Sequence, residues 1–278
     1  MQGTVIVTGG NSGIGRQTAL ELARRGAHVV LACRDLAKAE EARAAIAAET
    51  GEGSVSSREL DLASLASVRR FAAAAEAELP RIDVLVNNAG IFPMQGWQTE
   101  DGFEAQFGVN HLGPFLLTTL LLDKLRADGG ARVVHVSSMM HARGGIDFGS
   151  FRGEKPYKPY PAYYQSKLAN ILFSNELARR EQAAGSGVTS NALHPGAVAT
   201  NIMRDGSAPV RLFTRFFFGP VEKGARTSVM LASDPALAGV TGRYYHAGKE
   251  REPSATARDA TLAAKLWEES AALCGVAS

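Results

Sequence analysis

Short apolar runs alternate with helical stretches along the 278-residue chain, beginning at its first residues. The runs are apolar at successive positions and rich in Val, Ile and Leu, which is typical of strands that are covered on both faces of a sheet. Their positions predict seven strands: Thr4–Val7, Val29–Ala32, Ser54–Leu60, Ile82–Val86, Arg132–Val136, Val188–Leu193 and Gly242–His246.

Between these strands, apolar residues recur at the spacing of one helix face. The resulting helices are Ile14–Arg25, Leu36–Glu49, Ser64–Leu79, Gly102–Arg126, Ala162–Glu181 and Val221–Ala232. Strict alternation of strand and helix implies parallel strands with right-handed crossovers. Because no linker or repeat divides the sequence, we expect a single doubly wound α/β domain of the Rossmann type over residues 1–278. Its sheet is predicted to be seven-stranded and mainly parallel, with helices on both faces.

Charge and cysteine content narrow the function. Lys and Arg total 30 against 28 Asp and Glu, so nothing in the net charge of +2 favours nucleic acid. The two cysteines, Cys33 and Cys274, lie far apart and form no metal-binding motif, so we expect no metal. The apolar start is too short for the apolar region of a signal peptide. We therefore expect no membrane anchor and a cytoplasmic location.

A glycine-rich turn follows the first strand and precedes the first helix. Glycines in such a turn let a pyrophosphate approach bare backbone, and the amides at the helix start stabilise its charge. The position predicts a dinucleotide-binding turn formed by Gly9, Asn11, Ser12, Gly13, Ile14 and Gly15.

The end of the second strand bears on which dinucleotide binds. Arg34 offers a planar guanidinium that suits a 2′-phosphate, which favours NADP(H). Asp35 follows it, and an acidic residue near this place can instead bind the ribose of NAD(H). NAD(H) therefore stays possible, although Asp35 is also suited to cap the helix that begins at Leu36.

Tyr163 and Lys167 are four residues apart and so lie on one face of a helix. A nearby ammonium and an oxidised nicotinamide both favour a phenolate, so we expect the pKa of Tyr163 to fall toward neutrality. The phenol would then serve as general acid or base at a carbonyl or alcohol. Tyr164 is the alternative, but its partner four residues on is Leu168. Ser138 lies just beyond the carboxyl end of the fifth predicted strand, where the active sites of open α/β sheets lie.

These motifs resemble the short-chain dehydrogenase/reductase family. The segments Ala32–Asp35, Tyr163–Asn170 and His194–Thr200, and the long interval between Ser138 and Tyr163, resemble its retinol-dehydrogenase-like branch. Membrane-bound members of that branch carry an apolar anchor before the first strand, which this sequence does not show.

The resemblance implies a role for each matching residue. Ser138 would hold the substrate oxygen, while Ser137 bonds to backbone. Asn110 would disturb its helix and anchor a water chain to Lys167. The implied catalytic set is Asn110, Ser138, Tyr163 and Lys167. Tyr163 and Lys167 would also contact the cofactor. The remaining implied cofactor contacts are Asp61 and Leu62 at the adenine, Asn88, Ala89 and Gly90 at the ribose, and Pro195, Gly196, Val198 and Thr200 at the nicotinamide.

The implied activity is NADP(H)-dependent hydride transfer to or from a lipophilic carbonyl or alcohol, with the cofactor half at residues 1–135 and the catalytic half at 136–278. Candidate substrate walls are Ile91–Trp97, Arg143–Pro161 and Ile202–Pro220, the last of which carries an aromatic cluster that could equally be core. A non-catalytic nucleotide-binding sensor or partner-binding protein on this fold is the alternative. The oligomeric state is open between a monomer and a homo-oligomer.

Overall fold

The computed structural model describes residues 3–196 and 220–277. Within them the strands form one eight-stranded sheet, and all seven predicted strands are confirmed. The strands are β1 (Thr4–Thr8), β2 (His28–Cys33), β3 (Val55–Glu59), β4 (Val84–Asn87), β5 (Arg132–Val136), β6 (Thr189–His194), β7 (Tyr244–His246) and β8 (Lys249–Arg251).

The sheet order is β3-β2-β1-β4-β5-β6-β7-β8, and the pairs from β3 to β7 are parallel. The predicted number of seven strands is wrong by one, because β8 pairs antiparallel with β7 at the edge of the sheet. Residues Lys249–Arg251 are charged and exposed, so no apolar pattern marks them as a strand. A tight turn holds them in place, with positive φ at Ala247 (51°) and Gly248 (74°).

The helices confirm the predicted alternation with two differences. They are α1 (Gly13–Arg24), α2 (Leu36–Thr50), α3 (Leu65–Glu78), α4 (Ala105–Phe107), α5 (Gly113–Leu120), α6 (Leu122–Arg126), α7 (Pro159–Ala183), α8 (Val221–Ser233) and α9 (Ala260–Cys274). The predicted helix Gly102–Arg126 is interrupted by a π-helical turn at Gly108–Leu112. Helix α9 was not predicted, although its buried residues, such as Leu266 and Trp267, share one face.

Two apolar layers enclose the sheet, as the double winding requires. One buries residues of α3, α5, α7 and α9, such as Leu116 and Leu168, against Ile6 of β1. The other buries residues of α1, α2 and α8, such as Leu22, against Val5. Successive residues of β1 therefore enter opposite cores. Because the strands from β3 to β7 are parallel, their carboxyl ends lie along one edge of the sheet. Within residues 3–196 and 220–277, no helix has the length and apolar character needed to cross a membrane.

Candidate active site

In the glycine-rich turn after β1, the backbone at Gly15 lies close to the backbone at Gly9. Gly9 and Gly13 have φ values of 64° and 53°, a region that L-residues other than glycine rarely adopt. A Cβ at Gly15 would lie 2.4 Å from the carbonyl oxygen of Gly9 and 2.5 Å from Nδ2 of Asn88. The turn therefore requires glycine at these places, and the start of α1 lies directly against it.

The amides at the start of α1 lack a side-chain cap. The Ser12 hydroxyl makes no capping hydrogen bond, whereas Asp35 caps α2 and Ser64 caps α3. First-turn amides have no partner within their own helix, so those of α1 are available to an outside acceptor. Asn11 and Ser12 are half-buried beside them. An anion such as a pyrophosphate fits this donor set.

Arg34 and Asp35, at the end of β2, differ in how they are used. The carboxylate of Asp35 accepts hydrogen bonds from the backbone amide of Lys38 at 3.1 Å and from its ammonium. These bonds lower the pKa of Asp35 and confirm the predicted cap of α2. Arg34 is exposed, and its guanidinium makes no ion pair with any residue that the structure describes.

The ends of β3 and β4 hold the loops around this turn. Asp61 accepts a hydrogen bond from the amide of Ala63 at 2.9 Å, so its carboxylate braces its own loop. Leu62 is buried against the helix that begins at Gly113, where a Cβ would lie 2.7 Å from the Leu62 carbonyl oxygen. Ala89 and Gly90 follow β4 and are half-buried.

Asn88 joins the loop after β4 to the end of β1. Its Nδ2 donates to the carbonyl of Thr8 at 2.8 Å, and its amide donates to the Thr8 hydroxyl at 3.0 Å. The Ala89 amide donates to the same hydroxyl, also at 3.0 Å. Thr8 thus organises both loops, a role that its position in the motif alone did not indicate.

Asn110 lies in the π-helical turn, as the resemblance implied for an Asn that disturbs its helix. Its Oδ1 accepts from the Ile91 amide at 2.7 Å, and its Nδ2 donates to the Ile91 carbonyl and to the Ser166 hydroxyl, both at 3.0 Å. The Ser166 hydroxyl in turn donates to the carbonyl of Tyr163 at 2.9 Å. Asn110 therefore connects the loop after β4 to α7, and Ser166 is a supporting residue that the sequence analysis did not identify.

Lys167 is buried beneath the end of β5. Its ammonium donates to the carbonyl of Val136 at 3.1 Å, an acceptor that it shares with Nδ2 of Asn170 at 3.3 Å. A Cβ at Gly90 would lie 3.2 Å from the Lys167 nitrogen and 3.4 Å from Oδ1 of Asn110, so glycine leaves room for this group. Burial lowers the pKa of Lys167 to about 8.

Tyr163 is half-buried on the same face of α7. Its ring meets Phe92 edge-on with centroids 5.0 Å apart, and Nζ of Lys167 lies 5.6 Å from the ring centroid. Burial raises the pKa of Tyr163 to about 12, while an interaction with the Ser138 side chain lowers it. The predicted fall toward neutrality is therefore wrong for the protein alone, because loss of hydration disfavours the phenolate.

Ser137 and Ser138 make different contacts, and the predicted bond of Ser137 to backbone is confirmed. The Ser137 hydroxyl donates to the carbonyl of Lys167 at 2.7 Å and so fixes β5 to α7. The Ser138 hydroxyl accepts from the amide of Met140 at 3.2 Å, which leaves its proton free to donate. Ser138 and Tyr163 thus each carry a hydroxyl hydrogen that can be donated, and Lys167 lies next to the ring of Tyr163.

The loop before α7 is firmly attached. The hydroxyl of Tyr157 donates to the carbonyl of Pro93 at 2.5 Å and accepts from Gln106 at 2.8 Å, so Tyr157 joins this loop to two neighbouring segments. Phe151 is buried, and its ring stacks on Phe107 at a centroid distance of 3.9 Å. The segment Arg143–Pro161 is therefore attached to the loop after β4 and to α4.

The last part of the predicted nicotinamide contact is only partly described. Pro195 and Gly196 follow β6 and are half-buried, and Gly196 has a φ of 89°. Val198, Thr200 and the aromatic cluster between Ile202 and Pro220 lie outside the described residues.

Comparison with known proteins agrees with this arrangement. The profile of the short chain dehydrogenase family matches residues 3–210. Human retinol dehydrogenase 13 is 49% identical over an alignment of 282 positions, which covers 98% of this chain and 85% of that protein. The structure of an uncharacterized protein from Mycobacterium paratuberculosis matches with a TM-score of 0.81 and 42% identity, over 98% of this chain and 93% of that one. A Pseudomonas aeruginosa RhlG/NADP active-site complex matches with a TM-score of 0.68 and 27% identity, over 87% and 93% of the two chains. This chain therefore belongs to the retinol-dehydrogenase-like branch of the short-chain dehydrogenase/reductase family, whose members are hydride-transferring oxidoreductases.

Proposed function

We propose that this protein is an NADP(H)-dependent oxidoreductase that interconverts a lipophilic carbonyl compound and its alcohol, with Tyr163 as general acid and base. The observation that carries the proposal is the arrangement around the end of β5. Tyr163 lies there with the buried ammonium of Lys167 5.6 Å from the centre of its phenol ring, and Ser138 directly follows Ser137, whose hydroxyl donates to the Lys167 carbonyl. A protein that only binds a nucleotide has no need of a buried cation beside a phenol.

The residues present fit a nicotinamide dinucleotide phosphate. The uncapped start of α1 would hold the pyrophosphate, with Asn11 and Ser12 beside it. Arg34 would bind the 2′-phosphate, since it is exposed while Asp35 is engaged by Lys38. The match to a relative solved as an NADP complex supports the same choice. When bound, the nicotinamide supplies or accepts the hydride.

Proton transfer falls to residues of this chain. Because burial raises the pKa of Tyr163 to about 12, the phenol is protonated at neutral pH and suited to donate its proton to a carbonyl oxygen that gains negative charge. Ser138 would donate a second hydrogen bond to that oxygen. The Lys167 ammonium favours the phenolate that remains, and Asn110 holds the neighbouring loop against α7.

Exposed apolar side chains support a lipophilic substrate. Met139 directly follows Ser138 and is 59% exposed, and Tyr160 is 47% exposed with its ring 5.2 Å from that of Phe92. Met94 lies on the loop that Tyr157 holds, and it is also exposed. Large exposed apolar residues on segments that adjoin the candidate catalytic residues favour an apolar ligand. Together with the likeness to a retinol dehydrogenase, they favour a retinoid-type aldehyde or alcohol.

The test is NADPH oxidation with retinal and with a panel of smaller aldehydes and ketones. Tyr163→Phe should lower kcat at least 100-fold while NADPH still binds, because general acid catalysis contributes about 10²–10⁴-fold. Tyr164→Phe, one residue along the same helix, should keep its activity. Equal rates for native protein and Tyr163→Phe would defeat the mechanism. NADPH binding without turnover on any substrate would favour the sensor.

A further inference from the structure

His141 makes a bond with each of its ring nitrogens. It is buried in the 3₁₀ turn Met139–Arg143 that follows Ser138. Its Nδ1 lies 2.7 Å from the carbonyl oxygen of Ser138, and its Nε2 accepts from the amide of Ser254 at 3.1 Å. An amide can only donate, so Nε2 carries no proton. Nδ1 therefore carries it and donates to Ser138.

The partner of Nε2 belongs to a segment that also holds α7. Three residues after Ser254, the carbonyl of Ala257 accepts a hydrogen bond from Nδ2 of Asn175 at 2.9 Å. Asn175 lies two turns after Lys167 on α7. The amide of Ala257 donates to the carbonyl of Ser254 at 3.0 Å, which closes the segment into one short turn. The turn Ser254–Ala257 thus bonds both to His141 and to α7, the helix that carries Tyr163.

The histidine ring is itself fixed. It meets the ring of Tyr244 on β7 edge-on, with centroids 5.1 Å apart. The Ser138 carbonyl receives the His141 amide at 3.1 Å in addition to Nδ1, so two donors from one residue determine the orientation of that peptide. The Ser138 hydroxyl accepts from the amide of Met140 at 3.2 Å, and Met140 lies within the turn that these two bonds close, so the turn sets the direction of the hydroxyl.

We propose that His141 is a positioning residue for Ser138. Its two ring bonds hold the Ser138 peptide against the turn Ser254–Ala257. The same turn is bonded to α7, which carries Tyr163. These contacts together determine the distance between the Ser138 and Tyr163 hydroxyls. This inference rests on the proposed function, because it assigns His141 to the same reaction.

Two substitutions separate the two bonds. In His141→Asn the side-chain amide reaches the place of Nδ1 and retains the donor to Ser138. In His141→Gln the amide reaches the place of Nε2, which retains the acceptor for Ser254 and removes the donor to Ser138. Because His141→Asn frees the turn Ser254–Ala257 from the Ser138 side, we expect its kcat to fall several-fold. His141→Gln removes the bond that orients the Ser138 peptide directly, so its kcat should fall further, about 10- to 100-fold, as for a small misplacement of a reacting group. The Kd for NADPH should be unchanged in both.

His28 provides the matched control. Its Nδ1 contacts the carbonyl of Gly53 at 2.9 Å and its Nε2 contacts the hydroxyl of Ser56 at 3.1 Å, at the opposite end of the strands. His28→Asn and His28→Gln should both keep native kcat. Asn175→Ala is the second test: it leaves His141 intact but frees the turn from α7, and kcat should fall several-fold.

The outcomes are distinct. Equal kcat in His141→Asn and His141→Gln, or native kcat in Asn175→Ala, would overturn the positioning role. The positioning role would also be overturned if, in both His141 variants, the fall in kcat were proportional to the loss of thermal stability. If Tyr163→Phe is inactive in the same assay, such a result affects the inference alone. If Tyr163→Phe is fully active, the proposed function itself is wrong.

Discussion

The ammonium of Lys167 donates at 3.1 Å to the carbonyl of Val136, the last residue of β5, which directly precedes Ser137 and Ser138. This is its one hydrogen bond to the residues that the structure describes, although an ammonium has three donors. The lysine is only 2% exposed, so the protein keeps a charged group largely without water. Such a group lowers the free energy of unfolding, and its place beside Tyr163 is the reason we give for its presence.

Lys167→Met should therefore stabilise the protein at neutral pH and abolish turnover. Burial lowers the lysine pKa from 10.5 to about 8, so at neutral pH the charged form is less stable in the folded state by about 3 kcal/mol. Loss of the hydrogen bond to Val136 offsets about 1 kcal/mol. Between pH 8 and 10.5 the unfolded chain binds more protons than the folded one, so native stability gains with rising pH and the advantage of the variant disappears.

Urea unfolding of both proteins at pH 7, 8, 9 and 10 measures this difference, and kcat measures the loss of turnover. Lys265→Met removes an exposed lysine, which contacts the ring of Phe148, and serves as the control for charge removal alone. A variant that is less stable than native protein at every pH would contradict the assignment of an unfavourable buried charge.

Arg34→Ala should change the preference between cofactors. An exposed guanidinium with no ion-pair partner in the described part of the chain is available to a phosphate, and a hydrogen bond to a charged group contributes about 1.5–3 kcal/mol. We expect NADPH binding to weaken by this amount and NADH binding to stay the same, as measured by titration of each cofactor. Arg43→Ala, which removes an arginine already paired with Glu40, is the control. Equal weakening for both cofactors would refute a 2′-phosphate contact.

The sequence predicts those parts of the fold whose pattern reflects burial. The strand Val29–Ala32 is apolar throughout because both of its faces are covered, and it lies inside β2 as expected. The edge strand Lys249–Arg251 has no such pattern, because its pairing comes from the backbone and a tight turn. Helix α9 has apolar residues at helical spacing, so this pattern is sufficient to predict it.

The site divides in the same way. Tyr163 and Lys167 follow from their spacing, since four residues on a helix bring two side chains to one face. Ser166 accepts from the side chain of Asn110, and His141 accepts from the backbone amide of Ser254. These contacts join residues far apart in the sequence, so they depend on tertiary structure that no local spacing encodes. The raised pKa of Tyr163 was missed for a related reason: proximity to a lysine is visible in the sequence, whereas the extent of burial is not.

Asn110→Ala should unfold more readily than native protein. It removes three hydrogen bonds, two to the backbone of Ile91 and one to Ser166, and leaves these groups without a partner in a largely buried place. We expect a loss of about 2–4 kcal/mol in the free energy of unfolding, measured with urea. Asn170→Ala removes a single bond, at 3.3 Å to Val136, and should lose about 1 kcal/mol. Comparable losses in the two variants would show that Asn110 does not join the loop to α7.

Buried histidines should make the protein sensitive to acid. His111 and His135 are both 1% exposed, and burial lowers the pKa of each to about 3. As pH falls from 6.5 toward 3, the unfolded chain binds protons at these residues while the folded chain does not, so stability is lost by about 1.4 kcal/mol per pH unit for each histidine.

His135→Phe, whose ring can meet Phe173 edge-on as the imidazole does at 4.9 Å, should remove one of these contributions. Urea unfolding between pH 6.5 and 4.5 should then show a slope that is smaller by about 1.4 kcal/mol per pH unit. Leu125→Ala, a truncation of a fully buried side chain, should lower the whole curve by about 3 kcal/mol with the native slope. A native slope in His135→Phe would mean that this histidine takes up its proton without unfolding.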